Sequence, residues 1–128
     1  MPRCYLAGPM RHKRRFNFPA FFRADEVLVK LGWEVFNPAQ MDVSSGAVTR
    51  DGRLRRRHLE VNMPSANREF AARDVGVLIE KLRAEDGDAI ILLPGWRRSV
   101  GAKAERAVAR WVGLRILRID QAIREGKR

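Results

Sequence analysis

The run Ala89-Ile90-Ile91-Leu92-Leu93 leads straight into Pro94-Gly95 and then into a helical pattern. A strand that is apolar at every position, without alternation, is covered on both faces, which is typical of an interior strand of a parallel sheet. This segment therefore demands helices above and below it. The rest of the chain is read for elements that could supply them.

Arg3 to Ala7 reads as a first strand, stopped by the turn signal Gly8-Pro9. Asn17 is a candidate N-cap with Pro19 in the first turn, and Phe18, Phe21, Phe22, Leu28 and Leu31 recur at helical spacing up to a stop at Gly32. Trp33 to Phe36 reads as a second strand, closed by Asn37-Pro38. Residues 39–64 hold Gly46, Gly52, Pro64 and an arginine run without a sustained apolar period. They read as a long basic loop with one short helix around Leu54 to Val61, and a loop of that length is functional or mobile. Ser65 is expected to cap a helix reaching about Ala84, with Phe70, Val77, Leu78 and Leu82 on one face. Ala89 to Leu93 is the third strand, Val100 to Val112 a helix ended by Gly113, and Leu114 to Ile119 the last strand, followed by a short basic helix. The alternation predicts an α/β fold. It would be a doubly wound parallel sheet of the Rossmann or flavodoxin-like kind, with about four or five strands and helices on both faces. Ligands of such sheets bind at the carboxyl ends of strands, here Ala7-Gly8-Pro9, Asn37-Pro38 and Pro94-Gly95-Trp96.

With 128 residues the chain is expected to form one domain over its whole length. No apolar run approaches the roughly 20 residues needed to cross a bilayer, and the N-terminus makes a poor signal peptide. The single cysteine, Cys4, excludes an internal disulfide framework and fits a reducing, cytoplasmic compartment; in a strand it reads as a buried, inert thiol. His12 and His58 stand alone in basic runs, no Cys/His cluster has zinc spacing, and no metal or other cofactor is expected. The net charge of +11 peaks at Arg11-His12-Lys13-Arg14-Arg15 and Arg50-Asp51-Gly52-Arg53-Leu54-Arg55-Arg56-Arg57. Such runs either solubilise the surface or attract nucleotides and larger polyanions. Nucleic-acid binding would want aromatic residues interleaved with the charge. The second run has none, and Phe16 and Phe18 beside the first are expected to be buried by the next helix.

Candidate chemistry gathers at the third strand end. Ser99 is a good N-cap, Gly101 leaves the backbone open to close approach, and backbone N–H groups at a helix start can hold a phosphate or another anion. Glu105 lies one turn after Gly101, where the helix dipole favours its ionised form. It is either a nucleophile for a sugar carbon or a surface glutamate pairing with Lys103 or Arg106. Asp74 interrupts the apolar face of its helix. It is either ion-paired, as with Arg73 or Arg68, or aimed into a cleft. Asp88 reads as a cap or turn residue. Tyr5 is either a core aromatic or a hydroxyl that reaches the third strand-end carboxylate, since first and third strands are commonly adjacent in such sheets. Arg11 follows Gly8 closely enough to reach a phosphate there.

Tyr5-Leu6-Ala7-Gly8-Pro9-Met10-Arg11, Arg73-Asp74 and Ser99-Val100-Gly101-Ala102-Lys103-Ala104-Glu105 together resemble the nucleoside 2-deoxyribosyltransferase superfamily, which includes 2′-deoxynucleoside 5′-phosphate N-hydrolases and small phage and bacterial members. The resemblance covers nearly the whole chain apart from the 39–64 loop and the C-terminal tail. It implies that Glu105 attacks the anomeric carbon, that Asp74 positions or protonates the leaving base, and that the Tyr5 hydroxyl orients Glu105. It further implies substrate contacts at Gly8, Pro9, Arg11, Ser99, Gly101 and Ala102. A serine at position 99, where the transferases carry aspartate, matches the nucleotide hydrolases. A serine at a helix start would help bind a phosphate that an aspartate would repel. The expected function is N-glycosidic cleavage of (deoxy)nucleoside 5′-monophosphates by a homodimer or higher homo-oligomer, without cofactor or metal. Three alternatives stand beside it: base exchange, a lysine-decarboxylase-like phosphoribohydrolase (whose longer Pro-Gly-Gly run is missing here), and a non-catalytic nucleotide or nucleic-acid binding protein.

Overall fold

The strands Arg3–Ala7 (β1), Glu34–Phe36 (β2), Ala89–Leu92 (β3) and Arg115–Arg118 (β4) form one sheet in the order β2-β1-β3-β4, and every neighbouring pair is parallel. The structure is a computed structural model that describes residues 1–11, 13–46, 48–53 and 64–126; for residues 64–67 only the backbone is described. The helices are Phe18–Lys30 (α1), Pro38–Ser44 (α2), Pro64–Gly76 (α3), Val100–Trp111 (α4) and Ile119–Gly126 (α5); α3 runs on into a π-helical turn, Val77–Lys81. The expected doubly wound α/β architecture is therefore present, with four strands among the described residues.

Alternation along the central strands explains why they are apolar throughout. Cys4 and Leu6 of β1 and Ile91 of β3 face a layer that holds Phe18, Phe21 and Leu28 of α1 and Ala122 of α5. Tyr5 and Ala7 of β1 and Ile90 and Leu92 of β3 face the other layer, with Val77, Leu78, and Ala102 and Ala109 of α4. The edge strands are short and carry exposed charge at Glu34, Arg115 and Arg118, which blunts strand addition. Strand order reverses between β1 and β3, because the chain leaves β1 outward to β2 and returns past it to β3. That switch point is where open α/β sheets hold ligands.

Several boundaries differ from the sequence expectation. The 39–64 stretch does not begin as loop, because α2 occupies Pro38–Ser44. Asn37-Pro38 is a helix start as well as a strand end: the Asn37 side chain accepts from the Ala39 N–H at 2.9 Å, with Pro38 in the first turn. Asn17 precedes α1, but Arg15, Phe16 and Asn17 all have positive φ (54°, 53° and 60°), and Asn17 makes no side-chain capping bond. The cap needs extended backbone that this left-handed turn does not offer. α3 starts at Pro64, so Ser65 lies inside the helix rather than before it, and the continuous helix ends at Lys81, with Leu82 extended before a separate 3-10 turn at Ala84–Asp86. The short helix expected around Leu54 to Val61 lies outside the described residues.

Asn37 is almost fully buried and also donates from Nδ2 to Asp25 at 3.0 Å, tying α2 to α1. Asn37→Ala is expected to cost about 1–2 kcal/mol through one lost cap and one orphaned carboxylate. The urea midpoint measures this, and an unchanged midpoint would show that the cap does not hold α2.

Candidate active site

Tyr5 sits on the β1 face that looks toward α3 and α4 and is 1% exposed. Its hydroxyl donates to Glu105 Oε2 at 2.5 Å. The two meet because β1 pairs directly with β3, Tyr5 opposite Ile90, and β3 leads within a few residues into α4. The connection is tightly pressed on the loop after β1. A Cβ on Gly8 would lie 2.9 Å from Leu93 Cβ, and one on Gly95, whose φ is +88°, would lie 3.2 Å from Pro9 Cγ. Gly8 and Pro9 thus lock the two strand ends together.

Ser99 has extended backbone and its Oγ accepts from the Ala102 N–H at 3.1 Å, so it caps α4 as its sequence position suggested. Ala102 itself is buried, with its N–H taken by that cap. A Cβ on Gly101 would meet nothing closer than Ser99 Oγ at 4.0 Å, so nothing crowds the backbone at Gly101. Arg11 is exposed and, among the described residues, has no hydrogen-bond or ion-pair partner.

Asp74 on α3 is buried, at 9% exposure. The ion-paired reading of this residue holds. It is ion-paired, with Arg73 Nε donating to Oδ1 at 2.8 Å, and it lies against the Tyr5 hydroxyl and acts electrostatically on Glu105. The same guanidinium reaches from Nη1 to Asp42 Oδ1 at 2.7 Å. One part-buried cluster thus draws Tyr5 from β1, Asp42 from α2, Arg73 and Asp74 from α3, and Glu105 from α4. It holds three carboxyls and one cation inside a chain of net charge +11.

This imbalance sets the protonation of the cluster. Burial pushes the Glu105 carboxyl up to about 8; the Tyr5 hydrogen bond opposes the shift, the Asp74 charge adds to it, and Arg73 opposes it. The sequence expectation that the helix dipole keeps Glu105 ionised is therefore corrected. Glu105 lies beyond the first turn of α4, where the dipole has faded, and desolvation wins. Burial, followed by the Glu105 charge, holds the Tyr5 phenol well above its usual value, so it remains a donor. Burial also raises Asp42, against the pull of Arg73. Burial works against the Arg73 charge, but Asp74 and Asp42 outweigh it and raise the guanidinium further.

Neither Lys103 nor Arg106 pairs with Glu105 among the described residues. Lys103 is exposed, and the Arg106 guanidinium leans on the Trp96 ring, 5.2 Å from its centroid, with Arg97 also beside that ring at 5.4 Å. Cys4 is the inert thiol expected, fully buried and pushed up by burial first, then by the charges of Asp25 and Asp88. Phe18 is buried and Phe16 packs at the edge of the core, so neither is a free stacking surface beside the first basic run. His12, His58 and the arginines at 55–57 lie outside the described residues. No helix among the described residues is long and apolar enough to cross a membrane.

A family model described as Domain of unknown function (DUF4406) matches residues 2–118, which includes every member of the cluster. The chain belongs to the DUF4406 family. No curated protein matches it. Two features of this DUF4406 chain escaped the sequence reading. Asp42 lies in a stretch that reads as loop, although Asn37-Pro38, a cap residue followed by a first-turn proline, signals the helix that carries it. Arg73 figured as a partner for Asp74 alone, and nothing in its local sequence points to the second carboxylate.

Proposed function

We propose that this DUF4406 chain cleaves the N-glycosidic bond of (deoxy)nucleoside 5′-monophosphates, giving free base and (deoxy)ribose 5-phosphate. The observation that carries the reading is the part-buried Tyr5–Glu105 hydrogen bond at the β1/β3 switch point, with Asp74 beside it. The sequence resemblance to the nucleoside 2-deoxyribosyltransferase superfamily at these same residues supports it.

An ionised Glu105 oxygen attacks C1′ of the sugar as the C1′–N bond breaks through an oxocarbenium-like transition state, and the bond's electron pair leaves with the base. Asp74 assists that departure. Tyr5, held protonated, keeps one Glu105 oxygen fixed and leaves the other to react. Water then attacks the glycosyl ester, restoring the carboxylate and releasing the sugar phosphate. The open N–H groups of Val100 and Gly101, the Ser99 hydroxyl and the exposed Arg11 offer the 5′-phosphate its donors. If a second base replaced water in the last step, the same site would exchange bases.

The test is incubation with a panel of ribo- and deoxynucleoside monophosphates, with free base followed by chromatography. Base release is expected from the native protein and a loss of at least about a thousandfold in Glu105→Ala. Absence of release from every nucleotide, with salt-sensitive binding to DNA instead, would favour the binding-protein reading. Release that survives Glu105→Ala would remove Glu105 as nucleophile.

A further inference from the structure

Asp42 and Arg73 have no part in the bond-breaking steps above, yet they are built into the same cluster. Arg73 is a fork with both arms occupied: Nε on Asp74 at 2.8 Å and Nη1 on Asp42 at 2.7 Å. Its ring-side neighbour is Phe70, 5.3 Å from the guanidinium to the ring centroid, which leaves the fork little freedom to turn. Asp42 is itself fixed, because α2 is anchored at its start by the Asn37 cap and by the Asn37–Asp25 bond to α1. A buried carboxylate on a fixed short helix, gripping an arginine that also grips the neighbour of the reactive group, is a costly arrangement if packing is its only purpose.

We propose that Asp42 and Arg73 are positioning residues of the site. In this arrangement Asp42 anchors one arm of the Arg73 fork so that the other is set on Asp74, and the sharing of one cation between two carboxylates fixes the charge balance around Glu105. This deepens the N-glycosidase reading and takes Glu105 as the reactive group from it. The ionisation test below needs no substrate.

Among the described residues, the charged and titratable groups facing Glu105 are Tyr5 from β1 and Arg73 and Asp74 from α3. Lys103 and Arg106 lie on its own helix, turned to solvent and to Trp96. Those facing Arg73 are Asp42 from α2 and Asp74. Removing the Asp42 charge leaves more of the Arg73 charge unneutralised, so Glu105 gives up its proton more readily. Removing the Arg73 charge does the reverse. The two substitutions break the same ion pair, yet they must move Glu105 in opposite directions. A pair that only braced α2 against α3 would not do that.

The experiment is a carbon-13 NMR titration of Glu105 in the free, full-length protein, with the signal assigned by its loss in Glu105→Gln. Asp42→Asn keeps an oxygen for Arg73 to bond. It is expected to lower the Glu105 midpoint by about half to one pH unit, and Arg73→Gln to raise it by a similar amount. Arg73→Lys keeps the charge without the fork. It should leave the midpoint near the native one while kcat for base release falls, because an ammonium lacks the rigid planar fork that sets the two carboxylates at a fixed angle. Thermal melts confirm that each variant is folded, and if Arg73→Gln is not, the comparison of Asp42→Asn with Arg73→Lys still decides. Midpoints that stay put, or that move the same way in Asp42→Asn and Arg73→Gln, overturn the proposal. Midpoints that move as stated in a protein that releases no base uphold the charge balance and reject the reaction.

Discussion

Glu105→Gln is expected to abolish base release and, at the same time, to make the protein more stable at neutral and alkaline pH. Both effects follow from one fact: a carboxyl has been placed where burial holds its pKa at about 8 against an ordinary 4.5. Between those two values the unfolded chain has released the proton and the folded chain has kept it. The folded state binds more protons there, so stability must fall as pH rises from about 4.5 to about 8, and level off above. Glutamine has no proton to lose, and its amide can still accept from Tyr5. The variant should therefore match the native protein near pH 4.5 and exceed it by about 2 kcal/mol above pH 8. That figure is well below the full value of the shift, because solvent reaches part of the side chain. For a domain of this size it amounts to a rise in Tm of roughly 5–10 °C. Melts of both proteins from pH 5 to 9 check it, and parallel curves would mean that Glu105 is not held protonated. The same midpoint orders the kinetics. If ionised Glu105 is the nucleophile, kcat/KM of the native protein rises with pH and levels off above about 8. A kcat/KM that falls through that pH would recast Glu105 as the proton donor to the leaving base, a task for which a raised carboxyl pKa is equally suited.

The architecture could be read from the chain because burial on two faces leaves a direct mark on composition. Ala89 to Leu92 has no polar position to give either face, and β1 is nearly the same, so the two central strands and their parallel neighbours followed. What failed were places where one signal serves two structures. Asn37-Pro38 ends a strand and also starts a helix, and only the second meaning places Asp42. Asn17 has the right side chain for a cap, but the three left-handed residues from Arg15 to Asn17 take it out of reach, and no local pattern announces such a turn. In the site, Tyr5 and Asp74 could be picked out because each is a polar group set among apolar positions, and Glu105 because it lies one turn after Gly101 in a helix capped by Ser99. Their protonation could not, because it depends on how many charges share the space: the helix dipole can be read from position, whereas the desolvation that overrides it requires the packed sheet.

Asp88→Ala is expected to destabilise the fold by about 3 kcal/mol, a substantial part of the 5–15 kcal/mol that holds a typical domain together. Asp88 is fully buried just before β3. Its two oxygens accept from the Arg3 N–H and the Arg83 N–H, each at 2.8 Å, and its carboxylate pairs with Arg3 Nε at 3.4 Å. It is the turn residue the sequence suggested, and the structure adds what the turn is tied to. The carboxylate joins the start of β1 to the chain entering β3, and so sets the register in which Cys4 faces Ala89 and Tyr5 faces Ile90. Alanine would leave two backbone donors and one arginine without their acceptor. Asparagine keeps one acceptor oxygen and should recover part of the loss. Urea unfolding measures both, and an Asp88→Ala unfolding free energy within about 0.5 kcal/mol of native would show that β1 and β3 find their register without it. The contrast with Glu105 is the physical point. Both are acids set against the central strands, but Asp88 meets donors on both oxygens and a cation, so its charge is matched and its removal harms the fold. Glu105 meets one phenol and, among the described residues, shares its nearby cation, Arg73, with two other carboxylates, and is left short. Removal of Glu105 should therefore cost the reaction and spare the fold. Removal of Asp88 should do the opposite, with base release per folded molecule unchanged at temperatures where the variant remains native.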